Sequence, residues 1–164
     1  MKLLSILRHA KSSWSDSSLP DHDRPLNKRG LRDAPRMGEL IREKGLVPDA
    51  MLSSTALRAR DTALAVAAAT GFPDEVRFTR SLYGAGPDIY LQALSALPDD
   101  LEHALVVGHN PGLEELVARV VGETHTMPTA ALAVVELPIE SWRELDSLPQ
   151  GSLRALWRPR ELGE

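Results

Sequence analysis

Ile6-Leu7-Arg8-His9-Ala10-Lys11-Ser12-Ser13 is the stretch on which the reading of this chain turns. An apolar run that begins at Leu3 ends there, abruptly, in an arginine, a histidine and small or hydroxylated residues. Leu3, Leu4, Ile6 and Leu7 are nearly continuous and show no helical period, so residues 2–7 read as a short buried strand. Arg8 and His9 then lie at its C-terminal end. In open α/β sheets that edge is where ligands bind, because loops leave the strands there and helix N-termini turn their backbone N–H groups toward it.

The same succession of strand, turn and helix recurs along the chain. A polar loop from Ser12 to Arg24 is followed by helical spacing of Leu31, Ala34, Met37, Leu40 and Ile41, which predicts a helix over 27–44 with Asn27 as N-cap and Gly45 as stop. Pro35 should kink or split it. Residues 50–53 read as a second strand, and the alanine-rich run 55–70, closed by Gly71, as a helix with Arg58 in its first turn. A third strand is expected at 75–79 and a helix at 87–97. His103 to Val107 has the pattern of a central strand and runs into Gly108-His109-Asn110-Pro111-Gly112, a tight turn before a helix at 111–121. Two later strands, 130–137 and 151–157, belong at one edge with a short helix at 140–145 between them. The alternation implies an α/β fold in three layers, a mainly parallel central sheet with helices on both faces.

Composition bounds what such a fold can do. At 164 residues the chain fits one domain, 1–164, with a proper core. A hydrophobic share of 43% and a charged share of 26% are those of a soluble globular protein, and no apolar run approaches membrane-spanning length. The run after Lys2 is too short and too interrupted for a secretory signal, so the expected compartment is cytoplasmic. Cysteine is absent, which removes disulfides, thiolate metal sites and cysteine nucleophiles. A net charge of −4 argues against a general nucleic-acid surface, which needs clustered Lys and Arg, but leaves room for a local anion site.

Three strand ends deliver Arg8 and His9, Arg58, and His109 to one edge. Two arginines and two histidines, with no carboxylate in those turns, suit phosphoryl transfer. The planar fork of arginine matches phosphate oxygens bidentately at any working pH. A histidine among them can attack phosphorus if its other ring nitrogen is held protonated, leaving the attacking nitrogen a free base. Singly, each signal is weak. A metal pair of His103 and His109 is poorer still, because an extended strand holds them roughly 20 Å apart. His22 and His125 read as ordinary loop histidines, and Trp14 as packing in the core or at the pocket rim.

Leu7-Arg8-His9-Ala10-Lys11-Ser12 resembles the Arg-His-Gly/Ala signature of the histidine phosphatase superfamily, which includes phosphoglycerate mutases and many acid phosphatases. Residues 24–30 (Arg-Pro-Leu-Asn-Lys-Arg-Gly), 53–62 (Ser-Ser-Thr-Ala-Leu-Arg-Ala-Arg-Asp-Thr) and 108–112 are similar to its further blocks, in the expected order. The short length, the continuation to Trp14 and the block His109 to Glu114 most resemble the small SixA-type phosphohistidine phosphatases. The resemblance covers essentially the whole chain. It implies a phosphoglycerate mutase-like fold, with His9 as the transiently phosphorylated nucleophile. Arg8 and Arg58 would clamp the phosphoryl oxygens, His109 would donate a further hydrogen bond, and Ser12 would be a lesser phosphate-binding member. Backbone N–H groups after His9 could assist. No metal or organic cofactor is implied, and the expected partner is a phosphohistidine-bearing carrier or phosphorelay protein.

One departure bears on substrate. Larger members of the superfamily carry an acidic residue that protonates a leaving alkoxide, whereas Gly84-Ala85-Gly86-Pro87-Asp88 follows Tyr83 here, with no glutamate. Asp88 reads as a helix-start residue. Imidazole expelled from a ring-protonated phosphohistidine leaves as a neutral base, so a missing acid favours an N–P bond as target. A small-molecule phosphomonoesterase using Asp88, Asp21 or Asp23 as donor, and a non-catalytic phosphate-binding module, stay open as alternatives.

Overall fold

The computed structural model describes residues 1–147 and 150–162. Its elements run β1 (Lys2–Arg8), α1 (Lys28–Glu43), β2 (Ala50–Ser54), α2 (Leu57–Thr70), β3 (Arg77–Thr79), α3 (Pro87–Ser95), β4 (His103–Gly108), α4 (Gly112–Val121), β5 (Leu132–Leu137) and β6 (Ser152–Trp157). Short 3₁₀ turns occupy Asp21–Asp23, Arg80–Leu82, Trp142–Ser147 and Pro159–Glu161. The described strands form one sheet in the order β3-β2-β4-β1-β5-β6. β3, β2, β4 and β1 are mutually parallel, and β5 and β6 close one edge antiparallel. The sheet is thus mixed, with the expected parallel majority, and the expected helix at 140–145 is a 3₁₀ turn.

The continuous apolar runs of β1 and β4 reflect burial on both faces. Side chains alternate across each strand. Leu4 and Ile6 of β1, with Ala104 and Val106 of β4, pack with Leu91, Leu94, Leu113, Leu116 and Val120 of α3 and α4. Leu7, Leu105 and Val107 turn the other way, toward Met37 and Ile41 of α1 and Ala59, Ala63 and Val66 of α2. Leu, Val and Ala dominate both layers, with the fully buried Trp142 and Tyr90 as the large exceptions.

α1 begins as its sequence predicts: the Asn27 side chain accepts the Gly30 N–H at 2.9 Å. Pro35 does not split it. The carbonyl that a residue-35 N–H would have bonded belongs to Leu31, whose side chain is exposed, so the missing bond falls on the solvent side where water can replace it. Gly38 is required by packing, since a Cβ there would come within 2.6 Å of the Ala69 Cβ on α2.

Candidate active site

Register alone brings the two histidines together. Arg8 pairs with Gly108 across the parallel β1–β4 ladder, so His9 and His109 each follow the last paired residue by one position. The His9 N–H donates to the Gly108 carbonyl at 3.1 Å, and the two imidazole centroids lie 5.1 Å apart. β2 pairs Ser53 with Val107, which places Ser54 one residue further along, with its hydroxyl 2.8 Å from His109 Nε2. Gly108 permits this geometry. A Cβ there would lie 2.1 Å from Tyr90 Oη, the hydroxyl that accepts the His109 N–H at 3.1 Å.

His9 is buried, and its Nδ1 lies 2.7 Å from the Ala10 carbonyl, an acceptor that fixes the proton on Nδ1 and leaves Nε2 unprotonated. Burial pushes its pKa down to about 3; the Ala10 bond opposes this, while His109, Arg58 and Arg8 add to it. Burial likewise brings His109 down to about 4, helped by the charge of Arg58. The Ser54 hydroxyl already accepts the Ala56 N–H at 3.1 Å and so turns its own proton to Nε2, which puts the His109 proton on Nδ1, a buried nitrogen without a hydrogen-bond partner among the described residues.

Arg58 stands in the first turn of α2, as expected, and Arg8 ends β1. Arg8 Nη1 donates to the Met127 carbonyl at 3.1 Å. Both arginines keep a buried Nε without a hydrogen-bond partner among the described residues. Three orphaned donors on Arg8, Arg58 and His109, brought to one sheet edge, can receive an anion, since buried donors are otherwise satisfied. Trigonal or tetrahedral oxygens fit such donors.

The strand-end turns themselves carry no carboxylate, yet the folded loop supplies one. Asp21, in the 3₁₀ turn, takes Arg58 on both sides: Nη1 donates to its carbonyl at 2.7 Å and Nη2 to Oδ2 at 2.9 Å. Tyr83 Oη donates to the same Oδ2 at 2.6 Å, and Arg24 Nε to Oδ1 at 3.0 Å. The Tyr83 bond, with Arg58 and Arg24, holds the Asp21 carboxyl well below the usual range against a smaller opposing effect of burial. It is a fixed anion. Asp88 sits elsewhere: Arg119 on α4 donates to its Oδ1 at 2.7 and 3.0 Å, and its side chain is exposed.

Other expected members take indirect places. The buried Ser12 hydroxyl accepts Arg24 Nη1 at 2.6 Å, tying it to Arg24. The first backbone N–H after His9, that of Ala10, is engaged by Thr62 Oγ1 at 3.0 Å, whose own hydroxyl donates to the Arg58 carbonyl. Trp14 is not in the core: it is 71% exposed, with the Arg24 guanidinium 3.5 Å from its ring centroid. His22 is no plain loop histidine, since its ring meets Tyr83 edge-on at 4.8 Å and its Nε2 lies 2.8 Å from Thr55 Oγ1. Tyr83 in turn meets His109 edge-on at 5.6 Å. Asp21, Tyr83, Ser54 and Thr62 are members that sequence spacing did not single out as a pocket wall. The block 24–30 was a signal for Arg24, without a role attached. His103 lies at the far end of β4, 2.8 Å from the Ser5 hydroxyl.

The model of the histidine phosphatase superfamily, branch 1, matches residues 4–82. An uncharacterized protein of Mycobacterium tuberculosis strain H37Rv is 36% identical over 144 residues, which cover 80% of this chain and 87% of that one. The chain belongs to the histidine phosphatase superfamily. Within it, the fold is similar to that of a candidate phosphohistidine phosphatase SixA from Nakamurella multipartitia, at a TM-score of 0.84 and 29% identity over 96% of each chain. A second candidate phosphohistidine phosphatase SixA, from Agrobacterium tumefaciens, gives 0.83 and 28%, covering 96% of this chain and 98% of that one. The superfamily match ends at Leu82, before His109, whereas the SixA likeness spans nearly the whole chain. No helix among the described residues is long and apolar enough to cross a membrane.

Three buried neutral histidines give the protein a predictable pH response. Burial brings His103 to about 4, as it does His109, with His9 lower. An unfolded histidine titrates near 6.5, so between that value and about 4 the unfolded chain binds more protons and stability falls as pH falls. By pH 5 each of the three removes on the order of 2 kcal/mol. Urea unfolding should show the midpoint dropping steadily from pH 7.5 to pH 5, and a midpoint flat across that window would contradict the buried neutral state.

Proposed function

We propose that the protein is a phosphatase that removes phosphate from phosphohistidine carried by a protein, through a covalent phosphohistidine at His9. The observation that carries this reading is the pairing of a neutral His9, its Nδ1 proton held on the Ala10 carbonyl, with Arg8, Arg58 and His109. His9 Nε2 attacks phosphorus. The Nε2–P bond forms as the bond to the substrate imidazole breaks, and that imidazole, already protonated on its other ring nitrogen, leaves neutral. Arg8 and Arg58 neutralise the charge spread over the equatorial oxygens, and His109 Nδ1–H adds a donor. Water then attacks the phosphorylated His9, releasing inorganic phosphate and restoring the free imidazole. The positive charge that the chain sets against the phosphoryl oxygens comes from arginine, and the scheme calls on no metal or organic cofactor.

The fate of the carboxylates favours an N–P bond over an ester. Of the three candidate donors, Asp21 is held ionised by Tyr83, Arg58 and Arg24, Asp88 is engaged by Arg119, and Asp23 is exposed beside His22, at 3.6 Å from its Nδ1; the one of them that reaches Arg58 therefore carries no proton for an alkoxide. Single-turnover dephosphorylation of a phosphohistidine-bearing protein, run beside a panel of phosphomonoesters, tests the reading. Phosphohistidine should be cleared and the esters hydrolysed at least about a hundredfold more slowly, the scale of a missing general acid. Comparable ester turnover would shift the assignment to a small-molecule phosphomonoesterase.

A further inference from the structure

Beside the site lies a hollow of about 290 Å³ that phosphoryl transfer does not use. Arg29, Arg32 and Arg36 of α1 line one wall and Arg160 of the 159–161 turn lines another. Asp33 is the sole carboxylate among the described residues that line it; it is 2% exposed and sits against Arg29 and Arg32 at 3.7 and 3.3 Å. Four arginines against one buried carboxylate make a concentrated positive field on a chain whose net charge is −4.

Residues 29, 32 and 36 recur at helical spacing, so they share one face of α1 and span roughly 10 Å along its axis. That reach exceeds a single phosphate and fits a few residues of extended chain. The hollow also adjoins the site. Arg29 Nη2 donates to Thr129 Oγ1 at 3.4 Å, and the next residue, Ala130, donates its N–H to the His9 carbonyl at 3.0 Å. A polypeptide presenting a phosphohistidine to His9 would pass its neighbouring residues across this rim.

We propose that this arginine-lined hollow docks an acidic segment of the phosphohistidine-bearing protein, and so selects among protein substrates by charge. The proposal rests on the phosphohistidine reading above. Arginine suits the role, because its fork pairs bidentately with carboxylates while the rim stays solvated. Such contacts act chiefly on encounter rate and partner choice and are weakened by salt.

Three probes test it: a phosphohistidine peptide flanked by four glutamates, its counterpart with glutamines in those positions, and free phosphohistidine. At low salt the native enzyme should prefer the acidic peptide by about tenfold in kcat/KM, and about 0.5 M salt should erase the preference. The Arg36→Glu/Arg160→Glu variant should lose the preference while hydrolysing free phosphohistidine at the native rate. The Arg36→Gln/Arg160→Gln variant supplies the same comparison if charge reversal impairs folding. Equal kcat/KM for both peptides with the native enzyme would overturn the docking role. So would a variant that slows free phosphohistidine as much as the acidic peptide, which would make the hollow part of the field on the phosphoryl group. Anisotropy of a labelled, unphosphorylated acidic peptide, in saturating inorganic phosphate, separates the two levels. Binding that the variant loses, without phosphohistidine turnover by the native enzyme, would sink the catalytic reading and leave an acidic-peptide site standing.

Discussion

Replacing His9 with alanine should lower turnover of a phosphohistidine substrate by roughly 10⁴-fold or more, the scale on which removal of a nucleophile leaves only binding and field effects behind. The side chain has one structural bond to lose, its Nδ1–H to the Ala10 carbonyl, and its backbone stays anchored by the N–H to Gly108. The variant should therefore fold, with stability changed by little more than the value of one buried hydrogen bond, about 1 kcal/mol. Far-ultraviolet circular dichroism and a urea midpoint establish that. The decisive readout is covalent: native protein exposed to a labelled phosphoryl donor and quenched in alkali should carry acid-labile label, and His9→Ala should carry none. His109→Ala should still accept label, because it removes a donor and leaves the nucleophile. Label retained on a folded His9→Ala protein would move the nucleophile elsewhere.

How far the chain could be read in advance depends on which interactions are local in sequence. β1 and β4 were legible because strands buried on both faces cannot hide among polar residues, and α1 because Asn27 and Gly45 bracket an apolar stripe. The convergence of Arg8, His9, Arg58 and His109 followed from placing each just after a strand. Register then did what spacing could not, setting His9 opposite His109 through the Arg8 and Gly108 pair. From sequence alone Asp21 stands only as a candidate proton donor. Its position depends on a loop folded back from residue 12 to residue 24, where Ser12 holds Arg24 and Arg24 holds Asp21, contacts with no periodic signature. Tyr83 reaches the same carboxylate from 62 residues away. Pro35 misled for a related reason: a proline interrupts a helix only as much as its freed carbonyl is denied water, and the side on which Leu31 lies is a tertiary fact.

Arg58→Lys should cut kcat by about 10²- to 10³-fold, the range for removing a preorganised donor aimed at developing charge. The residue does two things at once. Its Nη groups grip the Asp21 carbonyl and carboxylate, and its Nε remains an unfilled donor in the site. A lysine ammonium is a single point and cannot present one edge to Asp21 and another to a phosphoryl oxygen. Charge and geometry are separable here, because Arg58 lowers the pKa of both His9 and His109 by its charge. Lysine retains that charge, so the acid limb of the kcat/KM profile should stay in place while kcat falls. Arg58→Gln removes it, so both imidazoles should protonate at higher pH and the acid limb should move up. Asp21→Asn should loosen the grip without touching the fork, costing about tenfold in kcat, with the Tyr83 bond weakened alongside. A pH–rate series on these three variants checks the scheme. If Arg58→Lys kept native kcat, the fork would be dispensable and the site's work would rest on field alone; if Arg58→Gln left the acid limb unmoved, a group other than these histidines would set it.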